Sequence, residues 1–158
     1  MVRINLITVG TLKEKYLTAA VAEYTKRLGR FAKIQVWELP EAYLPQNPAP
    51  AEVERALEKE GEMILKKFSP GGTHIALCVE GKQYDSEAFA ALIDRAGQSG
   101  AIDLVIGSSH GLAPAVKSAC SLRLSFSPMT FPHQLMRVML FEQIYRAFKI
   151  NHNESYHK

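Results

Sequence analysis

Two hydrophobic rhythms take turns along this chain. Val2 to Val9 (VRINLITV) is short, rich in β-branched residues and stops at Gly10, which predicts a strand. Leu12, Tyr16, Ala19, Ala20, Glu23, Tyr24, Arg27 and Leu28 then recur at three- and four-residue steps, predicting a helix with that stripe inward and Gly29 as its stop. Ile34 to Leu39 is a second strand, and Pro40 to Pro50, holding four of the eight prolines, is a surface loop. Ala51 to Phe68 reads as a solvated surface helix with pairs such as Glu62 and Lys66 at four-residue spacing. After the turn Ser69-Pro70-Gly71-Gly72 come a strand at Thr73 to Val79, a helix at Ser86 to Ala96 and a strand at Ala101 to Ile106. The last third joins a short strand, a Pro-bearing bend, a helix from Pro132 to Ile150 with Thr130 as its cap, and an aromatic-basic tail.

Strands that alternate with helices, and that lack polar alternation, predict an α/β fold: a mainly parallel sheet covered by helices on both faces. Such sheets bind ligands outside the carboxyl ends of their strands. That rule selects Leu77 to Glu80, Gly107 to Gly111 and Phe126 to Phe131. The helix at 132–150 has no wide polar face, so it must be buried on more than one side. A second copy of the chain in a two-fold dimer is expected to supply part of that burial.

Length and composition narrow the class. A chain of 158 residues, 47% apolar and 22% charged, is expected to form one domain over residues 1–158 without metal or disulfide support. No segment runs long enough in apolar residues to be a leader or a membrane span, so a cytoplasmic protein is expected. Cys78 and Cys120 lie far from any Cys/His ligand spacing and read as small buried hydrophobes. The net charge is only +3, but residues 107–158 carry six basic and two acidic side chains against 13 and 14 before them. A modest positive field therefore belongs to the last third.

Several motifs offer chemistry. Gly107-Ser108-Ser109-His110-Gly111 fits G-x-S-x-G between a strand and a helix, so a serine hydrolase using Ser109 with Glu142 and His152 or His157 is formally possible. Against it, Glu142 falls on a helix and no oxyanion segment precedes the serine. A turn bracketed by glycines also lets backbone approach a ligand closely. Gly81-Lys82 lacks the other residues of a phosphate loop. The five histidines show no metal-ligand spacing, and no metal is expected.

The stretch FSPMTFPHQLMRVMLFEQIYRAFKI followed by SYHK closely resembles the RlmH family, SPOUT-class methyltransferases of a pseudouridine in large-subunit ribosomal RNA. VGTLKEKY, AEYTKRLGRFAKI and VEGK fit as well, so the likeness spans the chain. The resemblance implies a C-terminal trefoil knot, a homodimer, S-adenosylmethionine as methyl donor and the assembled ribosome as substrate. It implies a cofactor site of Leu77, Gly107, Phe126, Ser127, Pro128, Met129, Thr130 and Phe131. It makes Tyr156 and His157 the catalytic candidates and places His133, Arg146 and Lys158 near RNA. Two positions depart from the family pattern: Ser108 and Asn153 both stand at usual glycines. A need for positive φ at Ser108 would strain the turn and weaken cofactor binding, leaving a non-catalytic RNA-binding dimer as the alternative.

Overall fold

The computed structural model describes residues 1–158. Its five strands are β1 (Val2–Val9), β2 (Ala32–Leu39), β3 (Thr73–Gln83), β4 (Ala101–Ile106) and β5 (Leu122–Ser125). They form one sheet in the order β2-β1-β4-β3-β5, and every pairing is parallel. The helices are α1 (Lys15–Leu28), α2 (Pro50–Leu65), α3 (Ser86–Gly97), α4 (Pro114–Ala119) and α5 (His133–Asn151). One face packs Ile4, Leu6, Ile102 and Leu104 under α1, α3 and α5; the other packs Ile7, Val9 and Val105 under α2 and α4. The expected α/β layering is thus present.

Three elements differ from expectation. On α1 the buried residues are Leu17, Val21 and Leu28, while Tyr16 is 70% exposed. Aromatic bulk pulled the sequence stripe one residue round the helix, whereas Leu and Val face the sheet. Helix α2 is not merely solvated: it buries Ala56, Glu60, Gly61 and Ile64, and the Glu60 carboxylate accepts from the Ala42 amide at 3.0 Å. Helix α5 has Pro132 as its N-cap with no side-chain cap bond, so Thr130 does not cap it.

Strand β3 runs four residues beyond Val79 because it bulges. Leu77 and Lys82 both register on Leu124, so Cys78 to Gly81 loop out of the ladder. A side chain on Gly81 would come within 2.7 Å of the Arg123 carbonyl, so only glycine permits this contact with β5.

Helix α5 lies between α1 and α3 and buries Arg137, Leu140, Phe141, Ile144, Ala147 and Phe148 within its own chain. Leu135 stays 39% exposed and Val138 and Met139 half-buried, leaving an apolar outer strip. At the other end Phe148 stacks on Phe31 at 5.3 Å.

Strand β4 is buried along its whole length, yet it contains Asp103, which has no solvent exposure. Its carboxylate accepts from the Asn5 side-chain amide (2.6 Å), the Ser69 amide (2.6 Å) and the Ser69 hydroxyl (3.0 Å). His74 Nδ1 adds a fourth contact at 2.8 Å, and its ring stacks on Phe68 at 4.2 Å. A buried charge survives only when so surrounded. Asp103→Ala would orphan these donors and should cost about 3–5 kcal/mol in a denaturant titration.

Candidate active site

The carboxyl ends of β3, β4 and β5 enclose a cavity of about 360 Å³, within the range of roughly 300–1,000 Å³ usual for small-molecule sites. Leu77 and the β3 bulge form one wall, Gly107 to Leu112 another, and the bend after β5 the third. Seven of the eight residues expected to hold a cofactor line it: Leu77, Gly107, Phe126, Ser127, Met129, Thr130 and Phe131. Pro128 does not; it is exposed in the bend. The bend is set by hydroxyls, with Ser125 Oγ donating to the Ser127 carbonyl (3.1 Å) and the Met129 amide donating to Ser127 Oγ (3.0 Å).

Gly107 is required by space. An added Cβ would lie 2.3 Å from the Gly111 carbonyl oxygen, because the segment 107–111 folds back on itself with a Gly111 amide to Ser108 carbonyl bond of 2.9 Å. Ser108 is buried and its φ is not positive, so the strain conditionally expected there does not arise. Asn153, at φ 53°, is the one non-glycine residue in the left-handed region, which asparagine tolerates.

Sequence reasoning did not foresee Lys117 on α4, whose ammonium meets Glu80 at 2.6 Å across the cavity wall. Hydrogen bonding from Lys117 holds the Glu80 carboxyl below its usual range. The bulge that aims Glu80 has no signature of its own apart from Gly81. Cys78 lines the same wall, and burial raises its thiol pKa, so it serves as an apolar filler.

His133 opens α5 and touches this cavity and a second one, of about 590 Å³, at the ends of β1 and β2. Burial lowers its pKa, and the Glu41 charge opposes that only in part. A lowered pKa favours the neutral imidazole, which suits hydrogen bonding rather than charge pairing. One turn on, Arg137 is structural: its guanidinium reaches Glu38 (2.7 Å), Thr8 (3.0 Å) and the Gly10 carbonyl (3.4 Å). Glu38 also accepts from the Leu12 amide, tying the β1–α1 loop to α5.

The tail forms a separate cluster. Tyr156 meets Tyr145 edge-on at 5.0 Å and lies under the Arg146 guanidinium at 4.7 Å. Arg146 is held by Glu142 at 2.6 Å and reaches His157 Nδ1 at 3.2 Å. His157 Nε2 is 3.8 Å from Glu87 at the start of α3. Burial, then the neighbouring Tyr156 and Glu142, raise the pKa of Tyr24 beside this cluster. Lys158 is exposed at the end of this cluster. Arg146, Tyr156 and His157 are therefore brought together, but none lines the cavity that holds the cofactor candidates. The hydrolase triad does not assemble, since Glu142 is committed to Arg146, His152 Nδ1 to the Phe148 carbonyl and His157 to Arg146.

A parallel sheet with a glycine-floored cavity at its strand ends is the arrangement in which α/β proteins bind small ligands. The chain belongs to the SPOUT methyltransferases: the family described as predicted SPOUT methyltransferase matches residues 2–157. It is 52% identical over 158 residues to ribosomal RNA large subunit methyltransferase H of Exiguobacterium sibiricum, covering 99% of both chains. The methyltransferases H of Pelotomaculum thermopropionicum and Bifidobacterium adolescentis are 50% and 51% identical, again over 99% of each chain. In fold it is similar to a probable methyltransferase from Bordetella pertussis Tohama I, with a TM-score of 0.56 at 17% identity over 92% of this chain and 94% of that one.

Two predictions follow from this geometry. Gly107→Ala should abolish measurable binding of the methyl donor in calorimetry while the chain stays folded, because the Gly111 peptide must move to admit the methyl group. Burial alone would raise the Glu38 pKa, but the Arg137 hydrogen bond, the Leu12 amide and the Arg137 charge together hold it below the ordinary carboxylate value. The stability this pair adds is thus present above the ordinary carboxylate value and lost as pH falls through the depressed one. Arg137→Met should raise the Glu38 pKa in an NMR titration and remove that acid-side loss.

Proposed function

We propose that this chain transfers a methyl group from S-adenosylmethionine to N3 of a pseudouridine in large-subunit ribosomal RNA. The carrying observation is that seven residues implied as the cofactor site by resemblance converge on one cavity, while the implied catalytic residues form a second, ordered cluster. The names of relatives about 50% identical over the whole chain support the substrate.

The cavity residues suit the donor. Gly107 admits backbone approach, Leu77 and Phe126 offer apolar surface, and the 126–131 bend is already fixed by its own hydroxyls. When bound, S-adenosylmethionine supplies an electrophilic methyl group on a sulfonium. The chain must remove the N3 proton and hold the base in line. Arg146 donates to His157 Nδ1, so the neutral ring carries its own proton on Nε2; when Arg146 turns to an RNA phosphate, Nδ1 is the atom freed to take the N3 proton. Arg146 and Tyr145 pin Tyr156, whose ring and hydroxyl position the base. His133 at the cavity edge, with Arg146 and Lys158 at the tail, contacts the RNA.

The reading requires two copies. Arg146 follows His133 by thirteen residues on a straight helix, about 20 Å along its axis. The tail beside Arg146 is therefore paired with the cavity of a partner chain, and the apolar outer strip of α5 supplies the dimer contact. One domain over residues 1–158 with a knotted C-terminal part completes the reading; the glycine-only contact of β3 with the Arg123 peptide suits so close a threading. The site of action is the ribosome in the cytoplasm.

His157→Ala and removal of Tyr156 to Lys158 should each lower methyl transfer to ribosomes by about 10²-fold or more, with donor binding and the dimer retained. Full activity in either variant would refute the catalytic assignment. Mixing Gly107→Ala with His157→Ala chains should restore about a quarter of wild-type activity, since half the dimers then hold one complete composite site. No restoration would mean that each tail serves its own cavity.

A further inference from the structure

We propose that the bare sheet face beside the C-terminal end of α2 is a second contact surface for ribosomal RNA, remote from methyl transfer. The inference rests on the proposed function and adds a surface that takes no part in the chemistry.

Alternation along β1 and β2 decides what this face carries. Ile7, Val9 and Leu39 belong to the core beneath α2 and α4, whereas Ile4, Leu6, Ile34 and Val36 pack on the opposite side. Residues of the first parity nearer the amino ends are Arg3, Lys33, Gln35 and Trp37, and all four are exposed. The register places Arg3 beside Lys33 and Ile7 beside Trp37, so they form one continuous strip. Helix α2 stops at Leu65, and just beyond it the Lys67 ammonium sits 4.0 Å from the Trp37 ring centroid. Asn5, between Arg3 and Ile7, is covered by Ser69.

A sheet face in an all-parallel fold is ordinarily covered by helices. Here a strip of it is open, yet it is paved with cations, an amide and an indole rather than aliphatic residues. The charges are also free: Arg3, Lys33 and Lys67 have no carboxylate within 4 Å, whereas Lys117, Arg137 and Arg146 each hold one. Unpaired like charges gathered on one surface repel each other, and a polyanion relieves that repulsion while releasing its counterions. An exposed indole among cations adds a stacking partner for an unpaired base. An apolar protein partner fits worse, because the exposed apolar side chains of this region, Met1, Trp37 and Leu65, are interspersed with cations. The strip lies across the sheet from α5 and the tail, so RNA on it leaves the methyl-transfer site accessible.

The test compares the unaltered chain with Arg3→Gln/Lys33→Gln/Lys67→Gln on 70S ribosomes over a salt series. Binding by the variant should lose about two units of the salt slope, at roughly 0.7 per phosphate contact. Its KM for ribosomes should rise about tenfold or more at physiological salt, while kcat at saturating ribosomes and affinity for S-adenosylmethionine stay unchanged. An unchanged slope and KM would overturn the proposal and leave the proposed function standing. A photoreactive residue at position 35 should crosslink to ribosomal RNA; labelling of ribosomal protein alone would also overturn it. If the unaltered chain neither binds nor methylates ribosomes, the proposed function falls first and this inference with it.

Discussion

The central strand β4 is shut off from water on both faces, and the site depends on that. All six of its residues are buried, and its single charge, Asp103, is tolerated because Asn5, Ser69 and His74 surround it. That network ties β1, the α2–β3 turn and β3 to the strand, fixing the sheet at its amino end. At the carboxyl end the chain must leave the core at once, and Gly107 does so by folding against Gly111 with no room for a side chain. The cavity floor is therefore rigid backbone, which suits a cofactor that has to be aligned to within a fraction of an ångström.

Helix α5 sets the distance between the strand-end cavity and the tail cluster, the two halves of the proposed site. Arg137 anchors its first turns to Glu38 and Thr8, and the Phe148–Phe31 stack anchors its last. A helix pinned at both ends cannot shorten, so the cluster of Arg146, Tyr156 and His157 stays well away from the cavity of its own chain. In the proposed dimer, the strip of Leu135, Val138 and Met139, only partly covered within its own chain, is where a second copy would close that gap. Dimerisation in this reading completes the site rather than merely stabilising the fold.

The two faces of the sheet divide the remaining work. The face under α1, α3 and α5 carries the large core and the tail. The other carries the smaller core, with an open strip of cations at its amino end. Arg137 and Arg146 are held in fixed geometry by carboxylates, whereas Arg3, Lys33 and Lys67 have none within 4 Å and suit a partner bound through its backbone.

Much was legible in the sequence because it depends on local rules. Strand β4 is bounded to the residue by the sequence, since a run of six, apolar at all but Asp103, lies between glycine-bearing turns, and the strand-end rule selects all three walls of the cavity. Asn153 was recognised as a residue able to take positive φ from its type alone. What sequence could not decide came from contacts between distant segments. The inward face of α1 depends on which residues meet the sheet, and Leu17 and Val21 outweighed the bulkier Tyr16. The β3 bulge, the Glu80–Lys117 pair and the Arg137–Glu38 pair join residues 37 to 99 positions apart, a separation at which no spacing rule operates. Whether Ser108 would strain its turn was likewise a question of backbone geometry, and the fold places it where serine is at ease. Sequence determined the elements and the residue types available for chemistry; only tertiary structure decided which of them stand within reach of one another, because hydrogen bonds and packing act over a few ångströms of space, whatever the distance along the chain.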